Sequence, residues 1–252
     1  MTRPPLAGQV ALVTGGAGGL GSAICRALAR AGATVVVGYN TSAEAASRLV
    51  ADLPPVHGTH AALLAPVTNS IGLAALAQTL QQNYGRCDVL VNNAGMTRFV
   101  PHHDLDALND ELIDQILATN VRGPLATVRA LRPLLEQSTA GLVVNISSIA
   151  ARTAMGSNLA YCASKAALDN LTLSLARALA PKIRVAGVAP GLADTEFVAG
   201  LDTRWRDEQA LRTPLQRLAS ADEVAAAVLA LATSLTFTTG AVIPVDGGRP
   251  LA

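Results

Sequence analysis

The stretch Val10-Ala11-Leu12-Val13-Thr14-Gly15-Gly16-Ala17-Gly18-Gly19-Leu20-Gly21 runs directly into SAICRALARA (22–31) and Gly32. A short aliphatic run, a glycine-rich turn and an Ala/Leu-rich amphipathic stretch predict a strand near 9–14 feeding a helix near 19–31. Glycines permit the tight turn and let an anion approach the backbone, while free N–H groups and the helix dipole at the helix start favour negative charge. A strand-to-helix turn of this kind is where the pyrophosphate of a dinucleotide is held. The same run also reads as a plain glycine-rich turn, but its position at the first strand-to-helix crossover favours the phosphate site.

Outward from that unit the pattern repeats. Short β-branched runs near 34–39, 57–63, 87–91, 141–147, 182–188 and 241–245 alternate with Ala/Leu-rich stretches near 42–52, 69–84, 104–117, 119–137, 160–180 and 220–234. Strands alternating with helices predict parallel βαβ units, and their mostly unbroken apolar character places helices on both sheet faces. The expected fold is α/β: one doubly wound domain over 1–252 with a seven-stranded parallel sheet. The segment 192–215, with mixed polar and aromatic residues, breaks the alternation and reads as a lid.

Composition narrows the function. Half of the 252 residues are apolar, and 19 basic against 18 acidic side chains leave a formal charge of +1, without the basic footprint of a nucleic-acid binder. No run approaches the roughly 18 apolar residues that cross a bilayer, and the N-terminal run is too short for a signal-peptide core, so no membrane association is expected. Cys25, Cys87 and Cys162 have no CxxC spacing, which fits a reducing, cytoplasmic setting rather than a disulfide scaffold. His57, His60, His102 and His103 lack carboxylate or thiol partners at metal spacing, so loop or surface positions and no metal site are expected.

Two further places carry chemistry. At the end of the second strand an acid accepts hydrogen bonds from a ribose 2′-hydroxyl and repels a 2′-phosphate. Here stand Tyr39, Asn40, Thr41 and Ser42, with no carboxylate before Glu44. The missing acid favours NADP(H), and the missing Arg or Lys keeps NAD(H) as the alternative. In YCASKAALDNLTLSLARALA, Tyr161 and Lys165 stand four positions apart on one helix face. An ammonium beside a phenol is expected to draw its pKa down, making Tyr161 a candidate acid/base. A Tyr packed on the core beside a solvated Lys is the bland reading of that pair taken alone. Cys162 points elsewhere on the helix and reads as packing.

With these residues in hand, the chain is similar to the short-chain dehydrogenase/reductases from end to end, and most resembles 3-oxoacyl-[acyl-carrier-protein] reductases. TGGAGGLG at 14–21 resembles the family's TGxxxGxG loop, Asn92-Asn93-Ala94-Gly95 its NNAG motif, and Tyr161/Lys165 its YxxxK. Ser148, 13 residues before Tyr161, matches the substrate-orienting serine, with Ser147 the lesser candidate. Asn120 in LATNVRGPL matches the helix asparagine. Pro190-Gly191 with Thr195 resembles the element that holds the nicotinamide carboxamide, and Thr239-Gly240 with Val245-Asp246-Gly247-Gly248 resembles the C-terminal motif.

The resemblance implies a Rossmann-type fold and hydride exchange between a nicotinamide cofactor and a carbonyl or alcohol. The implied catalytic set is Asn120, Ser148, Tyr161 and Lys165. The implied cofactor contacts are Gly15, Gly18, Gly19, Leu20, Gly21, Tyr39, Asn40, Thr41, Ser42, Val67, Asn93, Ala94, Gly95, Tyr161, Lys165, Pro190, Gly191 and Thr195. Asn92 and Asn93 are expected to tie strands together and floor the cofactor pocket, and Asp246 to stabilise the C-terminal turn. Two departures stand out. Pro66-Val67 replaces the Asp-Val that meets adenine, and Arg184-Val185-Ala186-Gly187 lacks the family's strand-linking Asn.

The favoured substrate is a 3-oxoacyl thioester, with Arg129, Arg132 and Arg177 as part of a carrier-docking patch, although Glu136 sits where those reductases are often basic. The alternatives are a small-alcohol, sugar or steroid dehydrogenase and, remotely, a non-catalytic dinucleotide-binding sensor or scaffold. Phe197, Leu201 and Trp205 offer apolar lid contacts, and Arg204 and Arg206 a meeting point for an anion. The resemblance also implies a homotetramer built through the helices at 119–137 and 160–180 and the last strand.

Overall fold

A computed structural model describes residues 3–194 and 202–251. Seven strands form the main sheet: β1 (Val10–Val13), β2 (Thr34–Tyr39), β3 (Ala61–Leu64), β4 (Val89–Asn92), β5 (Gly141–Ile146), β6 (Ile183–Pro190) and β9 (Val242–Val245). Their order is β3-β2-β1-β4-β5-β6-β9 and every pairing is parallel. β1 has β2 on one side and β4 on the other, so sheet growth reverses there. This reversal opens a crevice at the carboxyl ends of β1 and β4, the place where such sheets bind ligands.

The helices are α1 (Gly19–Arg30), α2 (Ala43–Asp52), α3 (Ser70–Tyr84), α4 (Asp110–Leu117), α5 (Gly123–Leu135), α6 (Ala150–Thr153), α7 (Leu159–Leu179), α8 (Thr203–Leu211) and α9 (Ala221–Thr233). Alternate strand residues face opposite sides. Val13, Val37, Val91 and Val144 pack with Ile24 and Leu28 of α1 and Val228 of α9. Leu12, Val36, Leu90 and Val143 pack with Leu76 of α3 and Leu131 of α5. Each face therefore has its own aliphatic layer, and the sheet is buried on both sides as its unbroken apolar strands require.

Several boundaries differ from the sequence expectation for identifiable reasons. The helix expected over 104–117 begins only at Asp110, because the Asp104 carboxylate accepts from Ala107 N at 3.0 Å and turns the chain, leaving Asn109 to cap by accepting from Leu112 N at 3.0 Å. The break expected before 119 is absent: α4 continues through a π-helical segment, Ala118–Arg122, into α5. The third strand starts at Ala61 rather than 57. His60 lies in the loop just before it, half-buried, where Nδ1 accepts from Val35 N at 2.9 Å and Nε2 donates to the Pro54 carbonyl at 2.9 Å.

Within the expected lid, β7 (Ala193–Asp194) pairs with β8 (Ala219–Ser220) in a separate two-stranded sheet, and α8 is capped by Asp202 accepting from Trp205 N at 2.9 Å. Thr195, Phe197 and Leu201 lie outside the described residues. Among the described residues no helix is long and apolar enough to cross a membrane.

Candidate active site

The glycine-rich turn is built by close approach. Gly15 has φ +61°, and a Cβ on Gly21 would stand 2.3 Å from the Gly15 carbonyl oxygen. At Gly18 a Cβ would meet only that oxygen, at 3.5 Å, so the turn is crowded toward the protein and open on its other side. Helix α1 follows Gly18 at its cap position, with no side-chain cap and no acidic residue in its first turn. Its leading N–H groups therefore point out uncapped and uncontested, a setting suited to a phosphate.

The second wall is locked onto this turn. Asn93 Nδ2 donates to the carbonyls of Thr14 (3.0 Å) and Gly15 (2.9 Å), while Thr14 Oγ1 accepts from Asn93 N and Ala94 N, both at 3.1 Å. Asn92 turns inward, its Nδ2 donating to Asn145 Oδ1 at 2.9 Å, and Asn145 Nδ2 donates to Thr172 Oγ1 at 2.9 Å. One amide thus holds the glycine-rich loop and its neighbour ties β4 to β5 and α7.

Helix α7 carries the reactive groups. Its cap, Asn158, accepts from Tyr161 N at 2.7 Å and donates to the Arg98 carbonyl at 2.7 Å, setting where the first turn presents Tyr161. Lys165 is buried; its Nζ donates to the Ile146 carbonyl at 2.9 Å and lies 5.6 Å from the centroid of the Tyr161 ring. Ser148, two residues beyond Ile146, accepts from Ala150 N at 3.1 Å and stands near enough to the Tyr161 phenol to draw its pKa down. A Cβ on Gly95 would stand 3.4 Å from Asn120 Oδ1 and 3.7 Å from Lys165 Nζ, so the lack of a side chain there leaves room beside both groups. Asn120, in the π-helical segment, is buried with its amide committed: Oδ1 accepts from Met96 N at 2.9 Å, and Nδ2 donates to Met96 O at 3.0 Å and Ser164 Oγ at 3.1 Å.

The electrostatics correct the expectation for the phenol. Burial pushes Tyr161 above the usual tyrosine range, and the nearby Ser148 hydroxyl pulls it only partly back. Burial likewise lowers Lys165 to about 8, with Asp169 opposing. The spacing argument counted the charge of the ammonium but not the removal of both groups from water, which penalises each charged form.

The other predicted positions divide. Gly191 accommodates a close approach by Asp246, whose Cα would lie 2.9 Å from an added Cβ, and Asp246 Oδ1 accepts from Gly248 N at 2.9 Å, as a turn-stabilising role requires. Asn40, Thr41 and Ser42 are exposed beside the half-buried Tyr39, and the Ser42 hydroxyl is not used to cap α2. Val67 is buried, within 3.1 Å of where a Gly123 Cβ would stand. Arg206 meets Asp194 at 2.6 Å, and Arg204 pairs with Glu208 at 3.7 Å. Cys162 is buried. Asn145, Asn158 and Asp169 escaped the sequence reading, and Thr14 entered it only as the first residue of the glycine-rich motif. Only Asn158, standing just before an apolar-periodic run, carried a local sign of its capping role.

A dinucleotide-type crevice beside a converging Tyr, Lys and Ser defines a nicotinamide-dependent oxidoreductase acting on alcohol and carbonyl groups. The family model described as enoyl-(acyl carrier protein) reductase matches residues 15–249, and the chain belongs to the short-chain dehydrogenase/reductase family. It is 40% identical over 244 residues, covering 96% of both chains, to a granaticin polyketide synthase protein of Streptomyces violaceoruber named for ketoacyl reductase. It is 39% identical over 246 residues to cis-4-hydroxycyclohexanecarboxylate dehydrogenase of Sinomonas cyclohexanicum, covering 95% of this chain and 96% of that one. Among solved structures it resembles the Pseudomonas aeruginosa RhlG/NADP active-site complex, with a TM-score of 0.89 and 33% identity over 99% of this chain and 100% of that one.

Two outcomes follow from this geometry. Gly21→Ala is expected to lower the unfolding free energy by roughly 1–3 kcal/mol, because backbone must shift to admit the methyl group, whereas Gly18→Ala costs under half as much; urea titration compares them. For Lys165, the folded pKa of about 8 lies below the ordinary 10.5, so the folded chain binds fewer protons between those values and stability rises with pH across that window. Lys165→Met should therefore stabilise the fold at pH 7, by up to roughly 3 kcal/mol, and the gain should shrink as pH climbs from about 8 to 10.5 in urea titrations at each pH.

Proposed function

We propose that this protein reduces a 3-oxoacyl thioester with NADPH, using Tyr161, Ser148, Lys165 and Asn120. The observation that carries the chemistry is the convergence of a phenol, a hydroxyl and a buried ammonium beside an uncapped helix N-terminus. A bound nicotinamide supplies the hydride. Gly15, Gly18, Gly19, Leu20 and Gly21 would hold its diphosphate, Asn93, Ala94 and Gly95 the floor, and Lys165 the ribose next to the nicotinamide, with Pro190, Gly191 and Thr195 toward the carboxamide.

Ser148 donates to the substrate carbonyl oxygen as negative charge grows there, and Tyr161 gives that oxygen its proton. The raised phenol pKa keeps the proton on Tyr161 until it is needed, which suits an acid in the reductive direction. Lys165 steadies the phenolate left behind. Asn120 pins the Met96 backbone beside this cluster, and a water that relays protons onward from Lys165 would be held at the π-helical segment.

The preference for NADP(H) over NAD(H) rests on the uncommitted Ser42 hydroxyl and the exposed Asn40 and Thr41 beside Tyr39, where no acid repels a 2′-phosphate. Val67 borders the adenine side, and adenine would be held without the usual carboxylate. The acyl-thioester reading draws on the relative named for ketoacyl reductase. A second reading, dehydrogenation of a small alcohol, is favoured by the 39% identical cyclohexanecarboxylate relative and by Glu136, which pairs with Arg132 at 3.7 Å and offsets one arginine of the carrier-docking patch.

We further read residues 1–252 as one domain with 192–215 as its lid. A homotetramer would cover exposed Leu117, Leu125 and Leu173 along the central helices and Phe237 before β9. The three buried free thiols suit a reducing cytoplasm.

The test is nicotinamide absorbance with NADPH and NADH in parallel, against a 3-oxoacyl thioester, a keto-sugar and a cyclic hydroxy acid. NADPH-dependent loss of the thioester's keto group is expected, and turnover confined to the hydroxy acid selects the second reading. Tyr161→Phe should reduce turnover by at least about 10²-fold while NADPH binding persists; retained activity removes Tyr161 from the mechanism.

A further inference from the structure

Three consecutive residues at the end of β5 face the site in three ways. The Ile146 carbonyl receives Lys165 Nζ at 2.9 Å, Ser147 turns inward, and Ser148 meets the phenol. The inward Ser147 is buried, and its Oγ donates to Asp169 Oδ1 at 2.5 Å. Asp169 is one helical turn beyond Lys165, so Tyr161, Lys165 and Asp169 form a single stripe along α7. The other carboxylate oxygen, Oδ2, lies 3.6 Å from Arg152 Nε of α6, the short helix that follows Ser148.

We propose that Asp169 is a positioning residue: it grips β5 through Ser147 and α6 through Arg152, so that Ile146 and Ser148 keep their places, and it sets a negative charge one turn from Lys165. The inference rests on the hydride-transfer reading for its effect on turnover, but not for its effect on Lys165 itself.

The charge matters because Lys165 is buried and burial drives its ammonium toward the neutral amine, with Asp169 the opposing influence. On α7 the titratable neighbours are Tyr161, Cys162 and Asp169, and α6 contributes Arg152. The π-helical segment and the loop after β4 contribute the Asn120 amide and backbone. The acids of α4, Asp110, Glu111 and Asp114, are exposed to solvent. Asp169 is therefore the acid placed to keep Lys165 charged, while Arg152, whose own side chain is largely exposed, weakens that influence only modestly.

The chain contains only two lysines, Lys165 and the exposed Lys182, so [ε-13C]lysine labelling of the full chain gives two resonances, of which the buried one reports on the site. Asp169→Asn keeps an acceptor for Ser147 but removes the charge; the Lys165 midpoint should fall by about half a unit or more, and the alkaline limb of the rate profile should move down with it. Ser147→Ala keeps the charge but frees the strand end; kcat should fall about tenfold with KM and the Lys165 midpoint unchanged.

A merely structural Asp169 would lower thermal stability and leave the midpoint where it is, and that result overturns the proposal, as does full kcat in Ser147→Ala. If Asp169→Asn does not fold, Asp169→Ala, favourable in a helix, carries the same titration. If the chain turns over none of the substrates, the resonance alone decides. A lowered midpoint then upholds the electrostatic role of Asp169 while the proposed reaction fails, and an unmoved one ends both.

Discussion

A charged amine buried at the carboxyl edge of a parallel sheet needs partners, and much of this site can be understood as the means of keeping one there. Lys165 has a backbone carbonyl as its hydrogen-bond partner, an aromatic ring 5.6 Å from its nitrogen, and a carboxylate one turn along its helix. Burial drives that nitrogen toward the neutral amine, and the carboxylate of Asp169 opposes it. The carbonyl belongs to β5 and the ring to the first turn of α7, so the ammonium couples β5, next to the central strand β4, to the helix that packs over it.

The crevice beside it is held by a different force. Thr14, Asn93 and Asn145 bond other protein groups, Asn92 does so through its Nδ2 while its buried Oδ1 is left without a partner, and the glycines at 15 and 21 bring two loops closer than any side chain allows. The result is a rigid wall with its uncapped helix start facing out. Electrostatics there comes from backbone dipoles rather than formal charge, in keeping with a chain whose basic and acidic residues nearly cancel.

The elements that sequence reading located best are those whose environment is uniform along their length. All seven strands of the main sheet were anticipated because each is rich in apolar residues, and the largest boundary shifts, at 57–61 and 104–110, fall where His60 bonds the backbone of Val35 and Pro54 and where Asp104 bonds that of Ala107. The π-helical segment had no expression in spacing, since it continues the same amphipathic face from α4 to α5. The glycine turn and the Tyr/Lys pair were equally visible, because each is a local pattern with a mechanism of its own, whereas the paired asparagines stood out only through the family's NNAG motif.

Sequence by itself determined that this chain forms a doubly wound α/β sheet with an anion-ready first turn and a phenol and an amine on one helix face, since these follow from local periodicity and spacing. Only the tertiary structure decided the protonation landscape and the supporting cast. Asp169 meets Ser147 across 22 residues and Asn92 meets Asn145 across 53, separations at which no local pattern operates. The reversal in the expected direction for Tyr161 has the same origin: proximity of charge can be read from a helix repeat, whereas loss of water depends on everything that folds over it.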